Sequence, residues 1–283
     1  MMYYIDSILS AAVYIVASFI LFYAGKWAYR IANPSIDMQL ELVEKDNFAF
    51  SLSQLGYYAG LLFAIGGVMA GPSKGMLTDI AEIGAYGLLA IVLLNITQFI
   101  NDRFILSSFS IRKEIIEDQN AGTGAVVGAS SAASGLVIMG AVYGDGGGLD
   151  TATVFWAVSQ IILVGTAKLY TWMIPYDVHE LIEKDNVAAG ISFAGVLLAI
   201  ANLIRHATMK NFDSWQTSFA EIGIGVVIGL AFLPVARLLT DKILLPGSSL
   251  THEISQQEKP NCGAALIEAF AYLGGSVLIT WCL

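Results

Sequence analysis

Charge is scarce in this sequence. Asp, Glu, Lys and Arg make up 13% of its 283 residues, about half the ~25% of an ordinary soluble domain. What charge there is leans acidic, 14 Lys and Arg against 23 Asp and Glu for a net −9, so the clustered basic face of a nucleic-acid binder is missing. Cysteine is limited to Cys262 and Cys282. On one helix these stand about 30 Å apart, beyond disulfide reach. The 3 His show no metal-ligand spacing with Cys, and no nucleophile lies in a pattern with its base. No nucleotide fingerprint occurs. The expectation is a protein with no catalytic residue, no cofactor and no metal, and not an enzyme.

Apolar residues, in contrast, make up 56% of the chain. They gather in runs of about 20, the length that crosses a hydrocarbon core of about 30 Å. Eight such runs are read at 8–29, 48–70, 80–100, 121–143, 152–174, 187–205, 217–239 and 261–281. The flank of the first holds Asp6 and no Lys or Arg, unlike the basic start of a secretory signal, so it reads as a retained span. The class expected is an all-α membrane protein of eight transmembrane helices.

Between the spans one polar word recurs. Glu41-Leu42-Val43-Glu44-Lys45-Asp46-Asn47 returns as Glu180-Leu181-Ile182-Glu183-Lys184-Asp185-Asn186. A looser copy is Glu114-Ile115-Ile116-Glu117-Asp118-Gln119-Asn120, and the loosest runs from Glu253 to Asn261, stretched by two residues. A shift of 139 residues carries Glu41 to Glu180, Ala81-Glu82-Ile83-Gly84 to Ala220-Glu221-Ile222-Gly223, Asp102 to Asp241 and Glu114 to Glu253. Many matches at one offset mark two homologous halves, 1–143 and 144–283, of four spans each. Each half holds two units of helix, polar elbow and helix, and units separated by even numbers of spans run parallel.

These elbows resemble those of the bacterial inner-membrane domain of unknown function 350 family. So do the Glu-Ile-Gly openings at Glu82 and Glu221 and the stretch Asn261-Cys262-Gly263-Ala264-Ala265-Leu266-Ile267-Glu268-Ala269. The inserted Lys259-Pro260 departs from the pattern. The resemblance implies a tandem-repeat, multi-pass protein of the bacterial inner membrane and transfers no activity. Orientation follows from the basic residues. Eleven of the 14 lie on the elbow side and three, Lys74, Arg205 and Lys210, on the other. The elbows are therefore expected in the cytoplasm and both termini outside.

Several residues are candidates for chemistry. The elbow carboxylates Glu41, Glu114, Glu180 and Glu253 are expected at i and i+3 with Glu44, Glu117, Glu183 and Gln256, neighbours on one helix face. They read either as a solvated interfacial face, as an acidic mouth that concentrates cations, or as a docking site. Asn47, Asn120, Asn186 and Asn261 read as N-caps or as a carboxamide ring at a pore mouth. His179 and His252 precede an elbow Glu, and the expectation is exposure rather than metal binding. Glu82 and Glu221 lie in the first turns of their helices, where the helix dipole favours an acid.

Glu268 lies seven residues past Asn261, about 10 Å along the helix, where a charge is costly. The same count from the other Asn residues reaches Gln54, Val127 and Phe193. In a closed bundle the first and last units would touch and Gln54 would pair with Glu268. The alternative is a proton or cation site at Glu268. Asn95, Gln98, Asn101, Asp102 and Gln160 add polarity to the interior. Small faces such as Gly124–Gly128, Gly56–Gly60 and Gly225–Gly229 favour close helix packing. The run Gly144–Gly148 reads as an outer turn, with weak calcium binding through Asp145 and Asp150 as a remote alternative.

Two functions follow as expectations. One is a channel or transporter for small cations or protons. The other is a scaffold that docks cytosolic partners, in envelope stress or membrane maintenance. The lipid bilayer is the common partner of both, and a homo-oligomer is compatible with either.

Overall fold

The computed structural model describes residues 2–144 and 146–283; Asp145 lies outside the described residues. Among them, eight helices are long and apolar enough to cross a membrane, as the run lengths predict, and no strand occurs. In chain order the helices are α1 (Met2–Ala32), α2 (Phe48–Met69), α3 (Met76–Phe104), α4 (Ala121–Val142) and α5 (Leu149–Met173). After them come the short α6 (Val178–Glu183), then α7 (Val187–Thr208), α8 (Trp215–Leu239) and α9 (Cys262–Cys282). The chain is a multi-pass membrane protein.

The helices form two layers. α2, α4, α7 and α9 pack consecutively in one row, and their mutual contacts are the most extensive in the molecule. The row is open: α2 and α9 stand at its two ends and make no comparable contact. The second layer fits into the grooves of the first. α3 lies against both α2 and α4, α5 against α4 and α7, and α8 against α7 and α9. α1 lies against α2 alone among the row helices.

Small residues bring the row together. A methyl added at Gly56 would stand 2.0 Å from the Gly128 carbonyl oxygen, and one at Gly124 would stand 2.3 Å from that of Ala49. Farther along, Gly190 faces the backbone of Gly122, and Gly195 that of Ala269. Backbones that approach this closely gain dispersion contacts, which drive helix association where lipid removes the hydrophobic term.

The four polar segments start the row helices. Each Asn accepts a hydrogen bond from the backbone three residues on: Phe50, Thr123, Ala189 and Ala264, satisfying an N–H that the helix leaves free. The residue before each of the first three, Asp46, Gln119 or Asp185, has a φ of 50°, 54° or 62°. Pro260 takes that place in the fourth segment, and its ring forbids a positive φ. The two extra residues of that copy replace the left-handed step.

Three of the segments are π-helical, over Leu40–Glu44, Lys113–Glu117 and His252–Gln256, and one is α6. The wider π turn separates the expected carboxylate faces. Glu41 and Glu114 are buried while Glu44 and Glu117 are exposed, which corrects the shared i, i+3 face. The third copy keeps both Glu180 and Glu183 exposed.

Candidate functional site

Two polar systems sit on this frame. The first is a relay along the row. Asn47 donates through Nδ2 to Glu41 at 2.8 Å and to the Ile115 carbonyl of the next segment at 2.8 Å. Asn120 repeats the pattern, to Glu114 at 2.9 Å and to the Ile182 carbonyl at 2.6 Å. Asn186 donates to the Ile254 carbonyl at 2.8 Å. Asn261 donates to Glu253 at 2.8 Å and, among the described residues, to no carbonyl of another segment. Lys45 closes the first set with an ion pair to Glu41 at 2.6 Å. In the third set Glu180 pairs with Lys184 at 2.5 Å instead of with its Asn, and that hydrogen bond raises the affinity of the Lys184 ammonium for its proton. Each recurring Asn therefore caps a helix, and Asn47, Asn120 and Asn186 also tie one segment to the next.

The second system lies between α8 and α9. Glu268 is fully buried, and its Oε1 accepts from Arg237 and, at 2.9 Å, from the Tyr272 hydroxyl. Arg237 also donates to Thr251 at 3.1 Å and lies over the Tyr176 ring, 5.9 Å from its centre. Burial, and next the Glu268 carboxylate, push the Tyr176 phenol up to about 12. Tyr170 stands edge-on to Tyr272 and stacks on Phe193. Among the described residues Glu268 Oε2 and the Tyr170 and Tyr176 hydroxyls have no hydrogen-bond partner. A cleft of about 300 Å³ opens beside the pair, lined by Tyr170, Leu233, Pro234, Arg237, Asp241 and Tyr272 among others.

Gln54 is not the partner of Glu268. The row is open, so the first and last units stand at opposite ends. Gln54 is buried beside Tyr29, with neither amide atom at full hydrogen-bond distance of a partner among the described residues. Asn95 donates to Tyr57 at 3.1 Å and to its own helix at Ile91, and Gln98 reaches Ser131 at 3.5 Å. Glu82 and Glu221 sit at the other end of the molecule, in ion pairs with Lys74 at 2.9 Å and Lys210 at 3.2 Å. The polar candidates of the sequence thus fall into separate neighbourhoods. His179 is half-buried with its ring 2.7 Å from the Ile105 carbonyl, so its expected exposure is corrected. Among the described residues no group of three or more His, Cys, Asp or Glu could hold a metal.

Sequence reasoning missed Arg237, Thr251 and the three tyrosines. A signal for them existed. The 139-residue shift carries Gln98 to Arg237, and counting from the capping Asn carries Val127 to Glu268 and Ser131 to Tyr272. The neutral Gln98–Ser131 contact of the first half is thus replaced by an ion pair and a phenol in the second. The first half invests its polarity elsewhere. Asn101 donates to Ser130 at 2.7 Å, Gln160 to Asn101 at 2.8 Å and Trp156 to Thr97 at 3.0 Å, a buried neutral network joining α3, α4 and α5.

An open row of glycine-packed helices, duplicated within one chain and inserted eight times through the bilayer, defines a polytopic membrane protein built by internal repetition. The family is identified by the same duplication. The model of the Domain of Unknown Function (DUF350) family matches residues 2–142 and again residues 146–283, and the chain belongs to that family. No curated protein and no solved structure matches it.

Proposed function

We propose that the chain is a non-transporting scaffold of the bacterial inner membrane that docks a cytosolic partner, with the Glu…Asn segments in the cytoplasm and both termini outside. Its four helix–segment–helix units run parallel, and it carries out no catalysis. One observation supports this reading above others: the seam between row helices is filled by backbone against backbone, as at Gly56 and Gly128, where a conduction path would need room. The inward turn of Glu41 and Glu114 supports it too, since a carboxylate bound by Asn47 and Lys45, or by Asn120, is not free to gather ions. The exposed Glu44, Glu117 and Glu183 are left as the acidic side chains that a basic partner surface would meet.

The test is flux through reconstituted vesicles together with capture of the partner. Wild-type protein should pass neither protons nor potassium above protein-free vesicles. Reversal of Glu44, Glu117 and Glu183 to Lys should abolish co-purification of a basic cytosolic protein from native membranes. Equal capture by the reversed variant would sink the docking role.

A second reading, proton or cation movement past the second half, has one observation in its favour. Glu268 Oε2 is buried and unpartnered beside a cleft, a position from which a carboxylate can exchange a proton. Arg237 weighs against it, because the guanidinium already neutralises the carboxylate and repels a second cation.

A further inference from the structure

We infer that the row continues from one copy of the chain to the next: the α9 end of one molecule seats between α1 and α2 of another, head to tail. The argument rests on the repeat geometry inside a single chain. Each layer helix other than α1 occupies a groove between two row helices, and α1 has a row helix, α2, on one side only. Of its most apolar window 11% is buried, against 78% for α4 and α7.

The groove on that side has a counterpart within the chain. Between α3, α4 and the preceding unit lies a cavity of about 340 Å³ lined by Ile111, Arg112, Ile115, Ile116 and Ser131. A shift of 73 residues turns these into Met38, Gln39, Leu42, Val43 and Tyr58, and all five line the groove beside α1. That groove measures about 1210 Å³. It is the same seat and wider: Tyr29, Ile36 and Phe50 of the preceding unit also wall the first cavity, and none of the described residues takes their place at the groove.

The polar ends match as well. Within the chain three Asn side chains donate to the carbonyls of Ile115, Ile182 and Ile254 in the following segment. Among the described residues Asn261 has no such acceptor. Leu42 is the residue corresponding to Ile115, and no side-chain amide among the described residues reaches its carbonyl. One spare donor at the end of the row and one spare acceptor at its start are what a heterologous interface requires. An exposed apolar face alone would carry no weight in lipid, and a two-fold dimer would leave both polar groups unused.

The register fixes which residues meet. Gly135 packs on Gly60 inside the chain, 15 residues past its Asn against 13 past the preceding one. The same offsets place Leu62 of one copy against Gly274 of the next. The test uses a background with Cys262 and Cys282 changed to Ser, in native membranes under mild oxidation. Mixed copies carrying Leu62→Cys or Gly274→Cys should cross-link to each other, and the double variant should give a ladder of multimers. Neither single variant should link to itself. Self-linking of Leu62→Cys, or no linking in any combination, overturns the proposal.

A second measurement avoids dependence on those variants. Wild-type protein in lipid nanodiscs sized for several copies should show masses above one chain. Asn261→Ser, which keeps a capping oxygen but loses the reaching amide, should shift the concentration for half-association up about tenfold. A wild-type mass of one chain at all concentrations overturns the proposal, as does unchanged association in Asn261→Ser.

Discussion

Arg237 of α8 and Glu268 of α9 form an ion pair inside the membrane-spanning region, at positions that the duplicated first half fills with Gln98 and Val127. The two halves share a frame and differ in what they bury. A charge pair introduced by both partners together avoids the penalty that either alone would incur, since a lone buried charge is far more costly than a matched one.

That pairing predicts strong coupling. Glu268→Leu and Arg237→Met should each destabilise the protein by about 3–5 kcal/mol by leaving a charge unpaired. Glu268→Leu combined with Arg237→Met should cost much less than the sum of the two single changes. Unfolding measured in bicelles for the four members of the cycle checks this, and additive losses would refute it.

The Asn relay predicts a graded series. Asn120 loses a cap, an inter-segment bond and the partner of buried Glu114, so Asn120→Ala should cost about 2–4 kcal/mol. Asn261, with its cap and a single bond to half-exposed Glu253, should cost about 1 kcal/mol on the same change. Equal losses at the two sites, measured in protein held as single copies, would mean that the inter-segment bond contributes nothing.

Packing along the row separates glycines by place. Gly56→Ala drives a methyl into the Gly128 backbone and should cost about 1–3 kcal/mol. Gly84→Ala meets nothing within 4 Å and should be neutral or slightly stabilising. Thermal unfolding in the same detergent compares them directly.

Orientation predicts a labelling pattern. The exposed Cys282 should react with a membrane-impermeant maleimide added outside intact spheroplasts. In a Cys-free background, a cysteine at exposed Glu44 should react only after lysis. The reverse pattern would invert the topology.

The spans and the duplication were legible in the sequence because both are periodic: apolar runs of bilayer length, and a polar word repeated at one offset. The capping role of Asn47 and its counterparts was legible for the same reason, as a polar residue fixed at a helix start. What escaped was lateral order. Helix spacing along the chain does not tell a closed bundle from an open row, so Gln54 and Glu268 read as neighbours when they lie at opposite ends. The partner of Glu268 escaped because Arg237 lies 31 residues away near a span end, where an arginine is also expected for topology alone. The inward turn of Glu41 escaped because π-helical winding breaks the i, i+3 rule on which the expectation rested.

The central claim is that the packed row conducts nothing, and flux in vesicles tests it most directly. Wild-type protein and Glu268→Gln should both leave proton and potassium gradients decaying at the protein-free rate. A wild-type flux that Glu268→Gln abolishes would contradict the account.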